Sequence, residues 1–228
     1  MSLTRAQKHC AIAIDGPAAS GKSTVARKLA ERLKLIMVNS GEMYRAVTLE
    51  VVRRGVDPGD GAAVAALLQN IDLRCAVVDG QSVVLLNGEH PGEELRSDAV
   101  NAAVSRVAAI PVVRDLLVAR QRNLLEQGDL VMEGRDIGSV VFPETPYKLY
   151  IEASAEVRRR RRAAEGQVDE VASRDRQDSA RRTSPLLVAE GAEVIDSSEM
   201  TIEEVVEAAL RVLRERGWRP GETESASP

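Results

Sequence analysis

The chain has 228 residues, of which 44% are hydrophobic and only 2% aromatic, and its formal net charge is −4. This length suits one α/β domain with an insertion, whose core must consist of aliphatic side chains. The negative charge balance argues against nonspecific binding to nucleic acid. No apolar run approaches the roughly 18 residues of a membrane span, and residues 1–10 lack the apolar centre of a secretion signal. We therefore expect a cytoplasmic protein that contacts no membrane.

The cysteines and histidines argue against two further kinds of site. Cys10 and Cys75 have no metal-ligand spacing, and in a reducing cytosol we expect both to be structural and unbonded. The histidines are His9 and His90, and neither neighbours a candidate nucleophile. The sequence therefore argues against a zinc centre and against a histidine-dependent catalytic triad.

The first motif lies between a predicted strand and a predicted helix. Residues 11–14 are an apolar run typical of a buried strand, and residues 24–33 have apolar side chains at helical spacing. Residues 16–23 between them fit G-x-x-x-x-G-K-[ST], the phosphate-binding loop. In such a loop the backbone amides and the helix N-terminus hold phosphate oxygens. The motif predicts that Lys22 reaches the β- and γ-phosphates of a nucleotide and that the Ser23 hydroxyl binds Mg²⁺.

The elements that follow indicate an insertion. The predicted elements of this part are strand 35–38, helix 42–54, helix 62–69, and strands 71–78 and 82–86. Residues 79–81 are a hairpin signal between the last two strands. Because an antiparallel hairpin does not belong to a helix-alternating parallel sheet, we interpret residues 57–95 as an inserted α+β subdomain.

The second half returns to the alternation of helices and strands. Its predicted elements are helices 98–109 and 112–126, strands 130–133 and 147–151, helix 155–164, strand 193–196 and a final helix to about residue 216. Thr201 and Glu204 form a capping box at the start of that helix. The pattern predicts an α/β fold of the P-loop NTPase type, with a parallel sheet of about five strands flanked by helices.

The same pattern divides the chain into four parts. The expected parts are a core domain of residues 1–56, 96–156 and 182–217, an insert of residues 57–95, a short helical lid of residues 157–181 and a disordered tail of residues 218–228. In this arrangement the insert and the lid lie at the carboxyl edge of the sheet, where α/β proteins bind their ligands.

Two groups of charged residues have alternative interpretations. Arg135 and Asp136 directly follow a predicted strand, so they either reach a ligand or form an ordinary ion pair in a turn. Arg158, Arg161 and Arg162 share one helix face, which is either a solvated basic surface or a set of groups that neutralise a transferring phosphoryl group. The phosphate loop and a second arginine-rich segment, residues 174–182, favour the latter.

Beyond the phosphate loop, three more segments carry a resemblance to a known family. They are Ser40-Gly41 with Tyr44-Arg45, the run from Glu133-Gly134-Arg135-Asp136 to Phe142-Pro143, and the run from Arg174-Asp175 to Ser184-Pro185-Leu186. With these segments the chain resembles the bacterial cytidylate kinases over about residues 11–210. The insert resembles the enlarged monophosphate-binding domain of that family. Asn39 departs from the pattern, because the family often has Asp there.

The resemblance implies an activity. It implies ATP-dependent phosphorylation of CMP and dCMP to CDP and dCDP by direct in-line transfer, with ATP and Mg²⁺ as cofactors. We expect a monomer. The nucleophile is then a phosphate oxygen that is already anionic, so no general base is needed. Catalysis consists of positioning and of charge neutralisation.

The resemblance also implies a set of site residues. The expected ATP-binding residues are Gly16, Pro17, Ala18, Ala19, Ser20, Gly21, Lys22, Ser23 and Thr24, with Ser23 as the metal ligand. The expected substrate-binding residues are Ser40 and Arg45, Arg135 and Arg181 for the acceptor phosphate, Ser105, Arg114 and Asp136 for the cytosine edge, and Arg174 and Asp178 for the pentose. The expected catalytic residues are Lys22, Arg135, Arg181, and the lid residues Arg158 and Arg162.

Three other functions compete with this one. The nearest is a kinase for another small acceptor, such as a different nucleotide or shikimate. A guanine-specific switch needs an N-K-x-D element, and no such run occurs. A nucleic-acid-binding ATPase is favoured by the arginine run, but the net charge and the scarcity of stacking aromatics oppose it. We therefore expect small nucleotides, and no nucleic acid, as partners.

Overall fold

The computed structural model of the chain describes residues 9–164 and 186–219. A seven-stranded sheet with the order β3-β4-β2-β5-β1-β6-β7 runs through this part of the chain. The strands are β1 Ala11–Asp15, β2 Ile36–Asn39, β3 Leu73–Val78, β4 Gln81–Leu86, β5 Leu130–Gly134, β6 Lys148–Glu152 and β7 Glu193–Asp196. The adjacent strands β2, β5, β1, β6 and β7 are all parallel, which confirms the predicted α/β fold.

Helices cover both faces of the sheet. They are α1 Lys22–Leu33, α2 Ser40–Arg53, α3 Gly61–Leu68, α4 Asp98–Val107, α5 Pro111–Asn123, α6 Ala155–Ala164 and α7 Ile202–Glu215. One apolar core joins α2, α4 and α5 to the sheet and includes Val47 and Leu117. The other joins α1 and α7 and includes Leu29 and Leu213. No helix in the described residues is both long and apolar enough to cross a membrane.

The predicted hairpin is present, but it belongs to the main sheet. β3 and β4 pair antiparallel, and β4 joins β2 through the parallel pair of Met37 with Gln81. Met37 N also donates a hydrogen bond to Gly80 O at 2.8 Å. The expectation that a hairpin would stay outside the sheet is therefore wrong. The backbone of β2 would otherwise be an open sheet edge, and the hairpin satisfies it at one end.

The capping box is present where the sequence predicts it. Thr201 Oγ1 accepts a hydrogen bond from Glu204 N, and Glu204 Oε2 accepts one of 2.7 Å from Thr201 N. Two predicted helices are shorter than expected, because α4 ends at Val107 and α5 gives way to a 3-10 turn over Leu124–Gln127. That turn ends at Gly128, whose φ of 156° lies in the region that favours glycine.

The prediction of a disordered tail over residues 218–228 is wrong for its first residue, Trp218. Trp218 is 7% exposed and packs edge-on against Tyr147, with ring centroids 4.8 Å apart. The single tryptophan therefore belongs to the core beside α7 and β6 and is not part of a disordered tail. Residues 220–228 lie outside the described residues, as do residues 165–181 of the expected lid.

Candidate active site

Two loops meet at the carboxyl edge of the sheet because the strands before them are neighbours. β1 and β5 run parallel in a register that places Ile14 opposite Glu133 and Asp15 opposite Gly134. Residues 16–23, the phosphate loop, leave β1, and residues 134–138, hereafter the β5 turn, leave β5. In parallel sheets, ligands bind outside the carboxyl ends of the strands. The register therefore brings the two predicted ligand-binding segments together.

The phosphate loop requires glycine at two positions. A Cβ atom on Gly16 would collide with the carbonyl oxygen of Ile151, so only glycine lets the loop pass β6. Gly21 has a φ of 90° directly before α1. Ser20 Oγ is buried without a hydrogen-bond partner among the described residues. An orphaned hydroxyl inside a glycine loop at a helix N-terminus fits phosphate oxygens.

Lys22, Ser23 and Glu133 form a buried polar cluster between the two loops. Lys22 is 6% exposed, and its Nζ donates a hydrogen bond of 3.2 Å to Pro17 O. The same Nζ lies 3.8 Å from Glu133 Oε2. Ser23 Oγ donates a hydrogen bond of 2.8 Å to Glu133 Oε1. An ammonium group, a hydroxyl and a carboxylate at this spacing fit a nucleotide phosphate with its Mg²⁺, since Mg²⁺ prefers oxygen ligands.

Asp15 joins β1 to the β5 turn. Its Oδ1 accepts a hydrogen bond from Ile137 N and its Oδ2 one from Gly138 N, each at 2.8 Å. Asp15 is 3% exposed. Two backbone donors therefore satisfy both oxygens of a carboxylate that water does not reach.

Several cationic side chains line one cleft. The cleft has a volume of about 650 Å³, and its lining includes Lys22, Arg45, Arg135 and Arg162. The guanidinium and ammonium groups of the lining outnumber its carboxylates, which makes the cleft suitable for a polyanion.

Backbone and amide acceptors hold two of these arginines in place. Arg45 Nη1 donates hydrogen bonds to Leu95 O at 2.7 Å and to Asn101 Oδ1 at 2.9 Å. Arg135 Nη1 donates one of 2.9 Å to Gly16 O in the phosphate loop. The acceptors in these three hydrogen bonds are neutral groups.

A buried ion pair also lines the cleft. Arg114 Nη2 donates a hydrogen bond to Asp136 Oδ2, and the two residues are 3% and 6% exposed. The Arg114 guanidinium lies 5.7 Å from the ring centroid of Tyr44, within cation–π range. Ser105 is buried and lines the same cleft. The pair presents donors and acceptors together, which suits the hydrogen-bonding edge of a planar ring.

Glu42 is an acidic group of the cleft lining whose pKa is raised. Burial raises the pKa of the Glu42 carboxyl, while the charges of Arg96, His90 and Arg45 lower it and that of Glu133 raises it. Glu42 is therefore a half-buried acid placed among cationic groups at the side of the cleft that Arg45 lines.

Two arginines of α6 bind the outside of the phosphate loop. Arg158 Nη1 donates a hydrogen bond of 3.3 Å to Ala18 O, and Arg161 Nη1 donates one of 3.1 Å to Ser20 O. Arg161 Nη2 also donates one of 2.8 Å to Ser197 O. These contacts use the carbonyl oxygens of the loop, which leaves its amide groups for an anion.

The comparisons with known proteins agree with this geometry. The sequence model of the cytidylate kinase family matches residues 12–215. The chain belongs to the cytidylate kinase family. The cytidylate kinase of Geobacillus kaustophilus (strain HTA426) is 42% identical over 221 residues, which cover 92% of this chain and 99% of the relative. That of Pelotomaculum thermopropionicum (strain DSM 13744 / JCM 10971 / SI) is 46% identical over 208 residues, covering 86% and 92%.

A solved structure resembles the chain more distantly. The shikimate kinase from Acinetobacter baumannii, in complex with shikimate, aligns over 93% of this chain and 97% of its own, with a TM-score of 0.45 and 16% identity. This likeness is too low to inform the substrate. The resemblance to cytidylate kinases drawn from the sequence motifs is confirmed by the family match and the close relatives.

Most residues expected from the cytidylate kinase family lie together. The cleft lining includes Ala18, Ala19, Gly21, Lys22, Ser23, Thr24, Ser40, Arg45, Ser105, Arg114, Arg135, Asp136 and Arg162. Arg158, expected in the lid, is 9% exposed and is fixed against the phosphate loop at the base of α6. Arg174, Asp178 and Arg181 lie outside the described residues, so their roles stay predictions.

Sequence reasoning missed three residues that organise this cytidylate kinase site. Glu133 belongs to the Glu133-Gly134-Arg135-Asp136 run that carries the resemblance, but the sequence assigned no role to its carboxylate, which follows the apolar run 130–132. Asp15 ends β1, and its carboxylate likewise follows an apolar run. Asn101 carries no motif, since its contact with Arg45 spans 56 residues of sequence.

The pKa of Asp15 gives a pH-dependent prediction. Burial raises this pKa to about 6; the amide hydrogen bonds of Gly138 and Ile137 lower it, Asp136 raises it and Lys22 lowers it. Between about pH 4, the unfolded value, and about pH 6, the folded chain holds a proton that the unfolded chain has lost. The Asp15 contribution to the free energy of unfolding therefore falls as the pH rises through this window, by up to about 1.4 kcal/mol per unit of pKa shift.

Urea unfolding of the wild type and of Asp15→Asn at several pH values across this window checks the prediction. We expect the wild type to lose stability relative to the variant as the pH rises from about 4 to about 6, and the difference to level off above that range. Two stability profiles that run parallel over the whole window would contradict it.

Proposed function

We propose that the chain transfers the γ-phosphoryl group of ATP directly to the phosphate of CMP or dCMP, giving CDP or dCDP. The observation that carries the proposal is one cleft lined by a phosphate loop, by Arg45 and Arg135, and by a buried Arg114–Asp136 pair. Membership of the cytidylate kinase family supports the same activity.

The donor half of the proposed site is the phosphate loop with the cluster behind it. Residues 16–24 would hold the phosphates of ATP, with Lys22 between the β- and γ-phosphates. Ser23 would bind Mg²⁺, and Glu133, which accepts the Ser23 hydrogen bond, would orient that hydroxyl and the metal-bound water. When bound, Mg²⁺ neutralises charge on the phosphates.

The acceptor half begins with two arginines. Arg45 and Arg135 would hold the phosphate of the acceptor, because guanidinium groups match phosphate oxygens in a bidentate fork. Ser40 lies beside them at the start of α2, with its Oγ bonded to Glu133 O at 2.7 Å. We include Arg181 for the same phosphate, and Arg174 with Asp178 for the pentose, on the family resemblance alone.

The buried pair gives a physical reason for cytosine. Cytosine presents an amino donor at N4 beside acceptors at N3 and O2, whereas uracil has an acceptor at position 4 and a donor at N3. Asp136 would accept from the amino group while Arg114 and Ser105 donate to the acceptors. Uracil would place a carbonyl oxygen against the Asp136 carboxylate, and a buried mismatch of this kind is strongly rejected.

The chemistry in this arrangement needs no general base. The attacking phosphate oxygen of the acceptor is already anionic, so the protein must align it with the γ-phosphate and neutralise the charge that accumulates between them. Lys22, Arg135 and Arg162 all line the cleft in which that transfer would take place. Water must stay excluded, or ATP would be hydrolysed instead.

A panel of acceptors tests the proposed substrate. ADP formation from ATP with Mg²⁺ is measured with CMP, dCMP, UMP, AMP, GMP and shikimate. We expect CMP and dCMP to have the highest kcat/KM, since the other rings mismatch the Arg114–Asp136 pair. A higher kcat/KM for any other acceptor would contradict the proposal.

A single substitution tests the base-reading pair. Asp136→Asn supplies a donor where the carboxylate accepted, so we expect kcat/KM for CMP to fall about 100-fold and the preference for CMP over UMP to shrink. Asp57→Asn is the matched control, because Asp57 pairs with Arg106 on the surface at 2.7 Å. An equal loss with CMP and UMP would assign Asp136 a structural role only.

The role of Glu133 is tested through the metal. In Glu133→Gln the Ser23 hydrogen bond loses its charged acceptor, so we expect the Mg²⁺ concentration for half-maximal activity to rise about 10-fold or more. Glu50→Gln is the control, because Glu50 is buried and bonded to Arg54 away from the cleft. An unchanged Mg²⁺ requirement in Glu133→Gln would remove Glu133 from the donor site.

A further inference from the structure

We propose that Asp15 is a positioning residue that couples the phosphate loop to the β5 turn, so that filling the ATP site aligns the groups that hold the acceptor. The inference rests on the proposed function for what each segment binds. It assigns to one buried carboxylate the task of joining the two halves of the site.

Asp15 is joined to the phosphate loop and to the β5 turn at once. Its backbone is the last residue of β1 and continues directly into Gly16 of the phosphate loop. Its two carboxylate oxygens hold the amides of Ile137 and Gly138, each at 2.8 Å. Arg135 and Asp136, immediately before those amides, are the turn residues that face the cleft. A shift of the loop at Asp15 is thus passed to both.

Few other side chains could accept hydrogen bonds from both of these amides. A carboxylate is acceptor-only and offers lone pairs on both oxygens, whereas an amide side chain has one acceptor and would set its NH₂ group against a backbone N–H. With Asp15 at 3% exposure, water cannot replace the lost acceptor. A buried amide left unpaired is costly, so the turn would have to move away.

The contact between the phosphate loop and the β5 turn is close-packed and is held by hydrogen bonds in both directions. Arg135 Nη1 donates back to Gly16 O at 2.9 Å, parallel to the Asp15 bonds. A Cβ atom on Gly138 would lie 3.3 Å from Asp15 Oδ2 and 3.2 Å from Lys148 Cδ, so the turn has little room. Interfaces packed this tightly transmit a displacement rather than absorb it.

The charges around Asp15 come from both halves of the site. Lys22 on α1 and Asp136 in the turn act on the carboxylate in opposite directions. Lys148 on β6 packs its stem against Gly138, and its Nζ donates to Pro143 O at 2.7 Å. Asp15 therefore interacts electrostatically with the cation assigned to the donor phosphates and with the anion assigned to the acceptor base.

Hydrogen–deuterium exchange tests the coupling without relying on catalysis. Exchange of peptides covering the phosphate loop and the β5 turn is measured with and without the Mg²⁺ complex of a non-hydrolysable ATP analogue. In the wild type we expect the analogue to slow exchange in both peptides, by about fivefold or more in the turn. In Asp15→Asn we expect the loop to stay protected while the protection of the turn is lost.

Asp129→Asn is the matched control for this experiment. Asp129 Oδ1 accepts a hydrogen bond of 2.7 Å from Cys10 N, so it joins β1 to β5 at the opposite end of the same strand pair. We expect it to behave as the wild type. Protection of the turn in Asp15→Asn, loss of protection in loop and turn together, or an unprotected turn in the wild type would each overturn the inference.

Kinetics provide the second readout, and Gly138→Ala the second variant if Asp15→Asn fails to fold. The added methyl group presses on the Asp15–Gly138 bond from the other side. For either variant we expect the acceptor KM to rise about 10-fold with the dissociation constant of the ATP analogue within about threefold of the wild type. Equal weakening of both ligands would contradict the inference. A wild type that phosphorylates no CMP would instead refute the proposed function, and the exchange result would still decide the coupling.

Discussion

The parallel pairing of β1 with β5 is the constraint on which the rest of the site depends. Its register sets Ile14 opposite Glu133 and Asp15 opposite Gly134, so two loops leave the sheet at the same level. One loop supplies the glycines and the Lys22 ammonium group, and the other supplies the arginine and carboxylate of the β5 turn. A slip of one residue would turn Glu133 away from Ser23 and Asp15 away from the turn, since alternate residues of a strand face opposite sides.

Buried charge is the second organising feature, and it is balanced within the protein. Lys22 faces Glu133, Arg114 is bonded to Asp136, and Asp15 is held by two amides. Removing one member of such a pair is far more destabilising than the pair is stabilising, because the remaining charge is left without a partner. The charged groups are therefore fixed in place before a ligand arrives, which is the preorganisation that electrostatic catalysis requires.

Local sequence patterns predicted the phosphate loop, the five parallel strands and the capping box, because each depends on neighbouring residues. What failed depends on contacts between distant parts of the chain. The hairpin joins the sheet through the pairing of Met37 on β2 with Gln81 on β4, and Trp218 packs against Tyr147, 71 positions earlier. Glu133 and Asp15 each follow an apolar run near the end of a strand, and only the pairing of β1 with β5 reveals what their carboxylates bind.

The central claim is that two anionic nucleotides meet end to end between the phosphate loop and the β5 turn. A bisubstrate analogue, in which adenosine and cytidine are joined by a chain of phosphates, tests it most directly. Because one molecule would fill both halves of the cleft, the account predicts inhibition that is competitive against ATP and also against CMP, with an affinity far above that of either nucleotide alone. Competition against ATP only, with no effect on the acceptor KM, would contradict it.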